Sequence, residues 1–238
     1  MIKLSIVIPT FNRRDRLRNS LLNYTQEEYE HIEYLVVDNC SEDDTEGLVR
    51  SMMQDDDRIK YFKNPSNLGY NRNLFRGFLE SNSNWVCVLP DDDLIEKGFL
   101  KELLNLIDKN PNTGLIIPSI NIENHENEYF KTTTKFEKAT EDAIETSFLF
   151  SGTVTGLCFQ KDKIKFDHWP LDSSIYPQIS VAVSLALSND IIYFVPKNNI
   201  ILGSVDSLKD KISDSMDRPV NYGVNERINI LYSKKLNI

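Results

Sequence analysis

The sequence is poor in cysteine and in long apolar runs, and each shortage argues against a class of protein. Its three cysteines, Cys40, Cys87 and Cys158, are scattered and odd in number, so they form neither a disulfide framework nor a zinc spacing. This usage is typical of a reducing compartment, and we predict a cytoplasmic location. No apolar stretch approaches the roughly 18 residues that span a membrane. The first residues lead directly into a strand pattern, so we expect no signal peptide.

Basic residues are scarce relative to acidic ones. The 238 residues include 27 Lys and Arg against 36 Asp and Glu, a formal net charge of −9. Nucleic-acid backbones require a basic surface, so we predict no nucleic-acid partner. The same charge disfavours strong attraction to anionic lipid.

Short apolar runs alternate with helical patterns along the first part of the chain. The runs are residues 4–8, 33–37, 59–62 and 85–89, and the helical patterns between them are residues 16–25, 45–53 and 71–80. Strands that are apolar on both faces and alternate with helices indicate a mainly parallel α/β sheet. We therefore predict a Rossmann-like, three-layer α/β/α architecture around a mainly parallel mixed sheet.

The later part of the chain is less regular. It contains helical patterns at 98–109, 143–150 and 177–187, strand patterns at 114–118, 153–160 and 191–195, and a polar stretch at 121–138. We predict one domain over residues 1–238. Its first half would be residues 1–94, its second half residues 95–200, and its tail residues 201–238.

Three polar clusters follow strands of the first half, at residues 10–13, 38–41 and 91–93. Successive parallel strands of a right-handed α/β sheet point their carboxyl ends to one rim, so the clusters should meet there. By residue type, Thr10 and Asn12 can offer donors to a phosphate. Capping and turn formation are the structural alternatives for such residues, and a solvated charge is the alternative for Arg13.

The acidic run 91–93 follows the apolar strand pattern at 85–89. Clustered carboxylates repel one another, and a divalent cation is the usual reason for them to lie together. At the carboxyl end of a parallel strand, such a cation indicates a phosphate-bearing ligand in a crevice. A solvated acidic turn is the alternative interpretation.

Four segments in order are similar to one known family. Residues 5–13 (SIVIPTFNR) resemble its opening strand, and residues 36–45 (VVDNCSEDDT) its second strand and turn. Residues 67–73 (NLGYNRN) resemble its loop-to-helix segment, and residues 89–93 (LPDDD) its D-x-D region. The chain therefore resembles family 2 glycosyltransferases of the GT-A fold, similar to O-antigen sugar transferases of the abequosyltransferase kind. The resemblance covers residues 3–110 well.

The resemblance implies a site for a nucleoside-diphosphate sugar donor and for Mn²⁺ or Mg²⁺. It places at the donor Thr10, Phe11, Asn12, Arg13, Asp38, Asn39, Arg72 and Asp91, and at the metal Asp92 and Asp93. Phe11, Asp38 and Asn39 would hold the base. Asn39 stands where uridine-nucleotide enzymes often have Asp, so the identity of the nucleotide base is left open. Residues 1–94 would be the nucleotide-sugar-binding half and residues 95–200 the acceptor half. The implied acceptor is a glycan or lipid-linked saccharide, which implies at most a peripheral association with the inner face of a membrane.

The resemblance also implies inversion in one displacement, assisted by a carboxylate base. In the family, the catalytic base usually lies at the start of the helix that precedes the last core strand. In this sequence that position falls near Pro177 and Gln178, and glutamine cannot act as a general base. Asp172 is the substitute candidate, with Asp167 and His168 behind it. Gln178 keeps a second hypothesis open, a non-catalytic sugar-nucleotide or glycan-binding relative.

A third hypothesis is a sugar nucleotidyltransferase, which usually needs a glycine-rich loop after the first strand. Residues 9–13 contain no glycine, which disfavours it. Oligomeric state and donor sugar are left open.

Overall fold

The computed structural model describes residues 1–118, 120–122, 136–171, 176–188 and 200–202. All of them lie within the compact unit Met1–Gly203. The predicted strand at 191–195, the predicted base Asp172 and the tail from residue 203 onward lie outside the described residues. The prediction of one domain over the whole chain stays a prediction. Within the described ranges, no helix is long and apolar enough to cross a membrane.

The described elements alternate as the sequence pattern indicates. The strands are β1 (Leu4–Thr10), β2 (Ile32–Asp38), β3 (Ile59–Lys63), β4 (Trp85–Val88), β5 (Leu94–Ile95), β6 (Leu115–Ile116), β7 (Ile120–Ile122), β8 (Cys158–Gln160) and β9 (Ile200–Leu202). The α-helices are α1 (Arg14–Thr25), α2 (Thr45–Asp55), α3 (Gly69–Glu80), α4 (Phe99–Lys109), α5 (Glu141–Phe150) and α6 (Pro177–Leu187).

The main sheet has the strand order β3-β2-β1-β4-β8-β6. Strands β1 to β4 pair in parallel, while β8 runs antiparallel to both β4 and β6. A mainly parallel mixed sheet is therefore confirmed. Since β1 lies between β2 and β4, the segments that follow these three strands emerge side by side.

Helices cover both faces of this sheet, as the three-layer prediction requires. Ile6 and Ile8 of β1 pack in one core with α1, α2 and α4. Val7 points to the other face and packs in a second core with α3 and α6. Gly77 lets α3 approach closely, because a Cβ there would lie 2.3 Å from Val7 Cγ1.

The later strands are shorter than predicted. Of the predicted strand 153–160, Cys158–Gln160 is a regular strand, and the chain turns before it at Gly156, whose φ is +73°. A small second sheet, β5-β9-β7, escaped prediction. Strands of two or three residues carry no readable periodicity.

Candidate functional site

The three polar clusters meet at one rim of the sheet, as predicted. Thr10 Oγ1 donates to Asp91 Oδ2 at 2.7 Å, which joins the ends of β1 and β4. The backbone N–H of Asn12 donates to Ser41 Oγ at 2.9 Å, and Glu42 N–H donates to Asn12 Oδ1 at 2.8 Å. These bonds join the ends of β1 and β2.

Arg13 connects two buried carboxylates at the centre of this rim. Its Nη1 atom lies 3.2 Å from Asp91 Oδ1 and 3.1 Å from Asp92 Oδ2. The side chains of Asp91 and Asp92 are only 4% and 2% exposed, against 29% for Arg13. Arg16 Nη1 adds a longer contact of 3.8 Å to Asp92. One positive nitrogen thus bridges both carboxylates from the solvent side.

The pKa of the Asp91 carboxyl reflects both its burial and the positive charge beside it. Burial raises the pKa of Asp91 from 3.8 to about 6, and nearby Asp92 adds to the rise. The Arg13 guanidinium and the hydrogen bond from Thr10 act in the opposite direction. The buried rim therefore favours a bound cation.

Asp93 faces another part of the structure. Its Oδ2 accepts a hydrogen bond of 2.6 Å from Thr155 Oγ1, in the loop that precedes β8. Its backbone carbonyl and that of Pro90 both accept from the Tyr24 hydroxyl, at 2.8 and 2.6 Å. The predicted acidic trio is thus divided: Asp91 and Asp92 converge on Arg13, while Asp93 anchors the turn.

Asp38 is fully buried, and both of its carboxylate oxygens accept from protein donors. Oδ1 accepts from the backbone and hydroxyl of Ser41, at 2.8 and 2.6 Å. Oδ2 accepts from the hydroxyl of Tyr61. Burial, together with this bond, raises the pKa of Tyr61 above its ordinary value. In the structure Asp38 shapes the turn after β2.

Asn39 ties that turn to the loop before α3. Its Nδ2 donates to Asn67 Oδ1 at 2.6 Å. Its Oδ1 accepts from Asn64 Nδ2 at 3.1 Å and from the Leu68 backbone at 2.8 Å. The predicted base contacts Asp38 and Asn39 are therefore already engaged within the protein.

Two buried residues that were not assigned to the site from the sequence, Asn64 and Asn73, extend this network. Asn64 Nδ2 also donates to Asn73 Oδ1 at 2.7 Å, and Asn73 Nδ2 donates to the Val37 carbonyl at 2.8 Å. Arg76 Nη1 donates to Asn64 Oδ1 at 2.8 Å. The density of asparagine between residues 64 and 73 is the signal that could have revealed it.

The remaining predicted donor contacts lie on the surface around the rim. Phe11 is 38% exposed, as a ring available for stacking must be. Arg72 is exposed in the first turn of α3. Asn12 and Cys40 both have positive φ, 52° and 71°. That conformation is uncommon for cysteine and concentrates strain at the rim.

The residues considered for the catalytic base are dispersed. Asp167 and His168 are both exposed, and Oδ2 of Asp167 lies 3.5 Å from Nε2 of His168. Gln178 is 3% exposed at the start of α6, with Nε2 3.4 Å from the Gly152 carbonyl. Gly152 belongs to the same loop as Thr155, the partner of Asp93. The position expected for the base thus lies beside a loop that reaches the acidic turn.

The carboxylates of the rim determine whether it can hold a divalent cation. In the part of the chain that the structure describes, no group of three or more His, Cys, Asp or Glu side chains is arranged to hold a metal. Mg²⁺, however, usually takes one or two carboxylates together with waters and substrate phosphates. Asp91 and Asp92 supply such a pair, and both contact one cationic atom. The pair therefore fits a cation that a diphosphate also ligates.

Comparison with known proteins gives the family. The model of the family described as glycosyl transferase family 2 matches residues 5–165, so the chain belongs to glycosyl transferase family 2. This confirms the resemblance drawn from the four sequence segments.

Two curated relatives show the extent of the similarity. The GalNAc(5)-diNAcBac-PP-undecaprenol beta-1,3-glucosyltransferase of Campylobacter jejuni is 37% identical over 44% of this chain. The poly(ribitol-phosphate) beta-N-acetylglucosaminyltransferase TarP of Staphylococcus aureus is 32% identical over 70%. The chain covers 34% and 53% of those two proteins.

Solved structures give the fold. S. aureus TarS 1-349 in complex with UDP-GlcNAc matches with a TM-score of 0.67 at 19% identity, covering 85% of this chain and 59% of that one. The mannosyltransferase PcManGT of Pyrobaculum calidifontis, in complex with GDP-Man and Mn²⁺, matches with a TM-score of 0.60 at 13% identity, covering 85% and 56%. The GT-A fold predicted for the chain is confirmed.

Proposed function

We propose that the protein transfers a sugar from a nucleoside-diphosphate sugar to a glycan or lipid-linked saccharide during surface polysaccharide biosynthesis. The proposal includes inversion, dependence on Mn²⁺ or Mg²⁺, and work in the cytoplasm at the inner face of a membrane. Membership of glycosyl transferase family 2 supports it. The names of the relatives also support it, since one acts on an undecaprenol-linked saccharide and another on poly(ribitol-phosphate).

One structural observation carries the proposal. Two buried carboxylates, Asp91 and Asp92, converge on a single positive nitrogen where three parallel strands end. Exposed Phe11 belongs to the same rim. A crevice at the carboxyl ends of parallel strands is where open α/β sheets bind nucleotides.

Each residue has a role in the proposed reaction. Asp92 and Asp91 would hold the cation, which as a Lewis acid would stabilise the charge of the departing diphosphate. Thr10 fixes the Asp91 carboxylate through its hydrogen bond. Phe11 would stack on the base, and Arg72 would contact the diphosphate. Asn39 and Asp38 would shape the base pocket through the turn that they hold.

The bond changes involve the acceptor hydroxyl and the anomeric carbon. The hydroxyl oxygen forms a bond to that carbon as the bond to the diphosphate oxygen breaks, and a base removes the hydroxyl proton. We retain Asp172 as that base. It closely follows Pro170 and Leu171, whose carbonyls accept from Asn71 Nδ2 in the first turn of α3.

The test is release of the nucleotide from a sugar donor in the presence of Mn²⁺. We expect Asp92→Asn to lower the rate by about 10²-fold or more, a loss typical of removing one electrostatic contact at the transition state. Asp108→Asn is the matched control, because Asp108 forms an exposed pair with Lys3, away from the rim. Equal rates in wild type and Asp92→Asn would refute the assignment of Asp92.

Gln178 supports a second candidate, a binding protein without turnover. It is buried beside Gly152 at the position where a base is expected and cannot accept a proton. This alternative would be favoured if the protein binds a nucleotide sugar but neither hydrolyses nor transfers any of them, and if Asp172→Asn binds the nucleotide sugar as tightly as wild type.

A further inference from the structure

The Arg13 guanidinium occupies the point where a cation would be bound. Its Nη1 atom lies 3.2 Å from Asp91 Oδ1 and 3.1 Å from Asp92 Oδ2. A divalent cation held by those same two oxygens would need the space that this nitrogen fills. The positive nitrogen and the metal would also compensate the same two negative charges, so both cannot occupy that point together.

The backbone and the side chain of Arg13 have different freedom. The Arg13 carbonyl accepts from Leu17 N–H at 2.9 Å, which fixes the backbone at the start of α1. The side chain reaches the carboxylates from solvent and is 29% exposed. Its long stem can therefore turn outward while α1 stays in place.

We propose that Arg13 is the resident counter-ion of the Asp91–Asp92 pair and that a divalent cation displaces its guanidinium when it binds. Without a cation, Arg13 prevents two buried carboxylates from being left uncompensated, a state that is strongly destabilising. The cation must break both ion pairs to enter. Arg13 thereby lowers the affinity of the free protein for the metal.

The inference rests on the proposed function only in taking Asp91 and Asp92 as the cation ligands. Donor and cation are then coupled through Arg13, because the displaced guanidinium can pair with the diphosphate. A guanidinium suits this exchange, since its planar donors match carboxylate and phosphate oxygens equally well. Coupling of this kind is reciprocal: the donor would also raise the affinity for the cation.

The test measures Mn²⁺ binding to the full chain by electron paramagnetic resonance, without any nucleotide. We expect Arg13→Gln to bind Mn²⁺ about tenfold more tightly than wild type, because a competing positive charge is gone. Arg13→Lys keeps the charge, and its Mn²⁺ affinity should lie between those of wild type and Arg13→Gln. Arg14→Gln is the control, since Arg14 pairs with exposed Asp15 and Asp44, and it should match wild type.

Thermal unfolding provides the second measurement, because Arg13→Gln leaves the carboxylates without Arg13 and can weaken the fold. We expect a lower melting temperature than wild type without metal and a larger rise on adding Mn²⁺. If Arg13→Gln does not fold even with Mn²⁺, the Mn²⁺ affinity of Arg13→Lys is the test instead. Tighter Mn²⁺ binding by Arg13→Lys than by wild type then supports displacement of the guanidinium by the cation.

Unchanged or weaker Mn²⁺ binding in Arg13→Gln, or in Arg13→Lys where that variant decides, overturns the inference. Sugar transfer by the wild type in the same preparation would then leave the proposed function standing. Tighter Mn²⁺ binding with no transfer from any donor would overturn the proposed function alone.

Discussion

At the residue scale, the buried carboxyl of Asp91 makes the stability of the protein depend on pH. Its pKa is about 6 in the folded protein, against an ordinary value of 3.8. Between these two values the unfolded chain releases the proton and the folded chain keeps it, so raising the pH favours unfolding. Above about pH 6 the loss is complete and amounts to roughly 3 kcal/mol.

Asp91→Asn removes this titration. We expect the variant to gain on wild type in free energy of unfolding as the pH rises from 4 to 7, measured by urea denaturation without divalent cations. Asp43→Asn is the control, because both the ordinary pKa of 3.8 and the lower pKa of the folded protein lie below this range, so this variant should change little relative to wild type between pH 4 and 7. Hydrogen bonds from Thr45 and from the Arg14 backbone outweigh burial and hold the pKa of Asp43 below its ordinary value. A difference between wild type and Asp91→Asn that stays flat over this range would contradict the role of Asp91.

Residue types were predictable from the sequence, but their partners were not. Polar residues after apolar runs show that Asp38, Asn39 and Asp91 meet at one rim. They do not show that Tyr61 and Ser41 take both carboxylate oxygens of Asp38. Such pairings depend on side chains brought together from distant positions, which a local pattern does not encode.

At the element scale, the close approach of α3 to the sheet depends on Gly77. Helix propensity alone would favour alanine there by about 1 kcal/mol. A Cβ at this position, however, would lie 2.3 Å from Val7 Cγ1 in the buried middle of β1. Overpacking of a core typically costs about 1–3 kcal/mol, so we expect the clash to outweigh the gain in helix propensity.

We expect Gly77→Ala to lower the urea midpoint of unfolding. Gly152→Ala is the matched control, because its Cβ would meet its nearest neighbour, the Leu149 carbonyl, at an ordinary 3.7 Å. A midpoint that rises in Gly77→Ala as helix propensity predicts would show that β1 and α3 can separate without cost.

Elements of the first half were predictable because their patterns are long. The predicted strand 33–37 and helix 45–53 differ from the observed Ile32–Asp38 and Thr45–Asp55 by only one or two residues at an end. Strands of two or three residues, such as Leu94–Ile95, leave no periodicity to detect. Their pairing is decided by partners more than a hundred residues away, such as Ile200–Leu202.

At the scale of the whole molecule, the fold was predictable and the choice of ligand was not. Alternating elements indicated a mainly parallel α/β sheet, and the resemblance of four ordered motifs to a known family implied the GT-A fold. The choice of nucleotide base and sugar depends on a few pocket contacts, and Asn39, one of the predicted base contacts, is hydrogen-bonded to Asn64 within the protein.

A panel of UDP-, GDP-, CDP- and dTDP-sugars, with and without Mn²⁺, tests the donor on the intact protein. A ligand that binds only the folded state stabilises it by about 2.7 kcal/mol at a hundred times its dissociation constant. We expect one nucleotide class to raise the melting temperature, and more with Mn²⁺ than without. Arg14→Gln should behave as wild type. No shift with any donor would count against a nucleotide-sugar site.

The hydroxyl of Tyr24 has a consequence for the entropic cost of binding a ligand. It is shared between the carbonyls of Pro90 and Asp93, at the two ends of the acidic turn. The phenol therefore acts as a brace from α1 that holds the turn in shape before anything arrives. An incoming cation and diphosphate would meet a turn whose backbone is already ordered, so association would sacrifice little loop entropy.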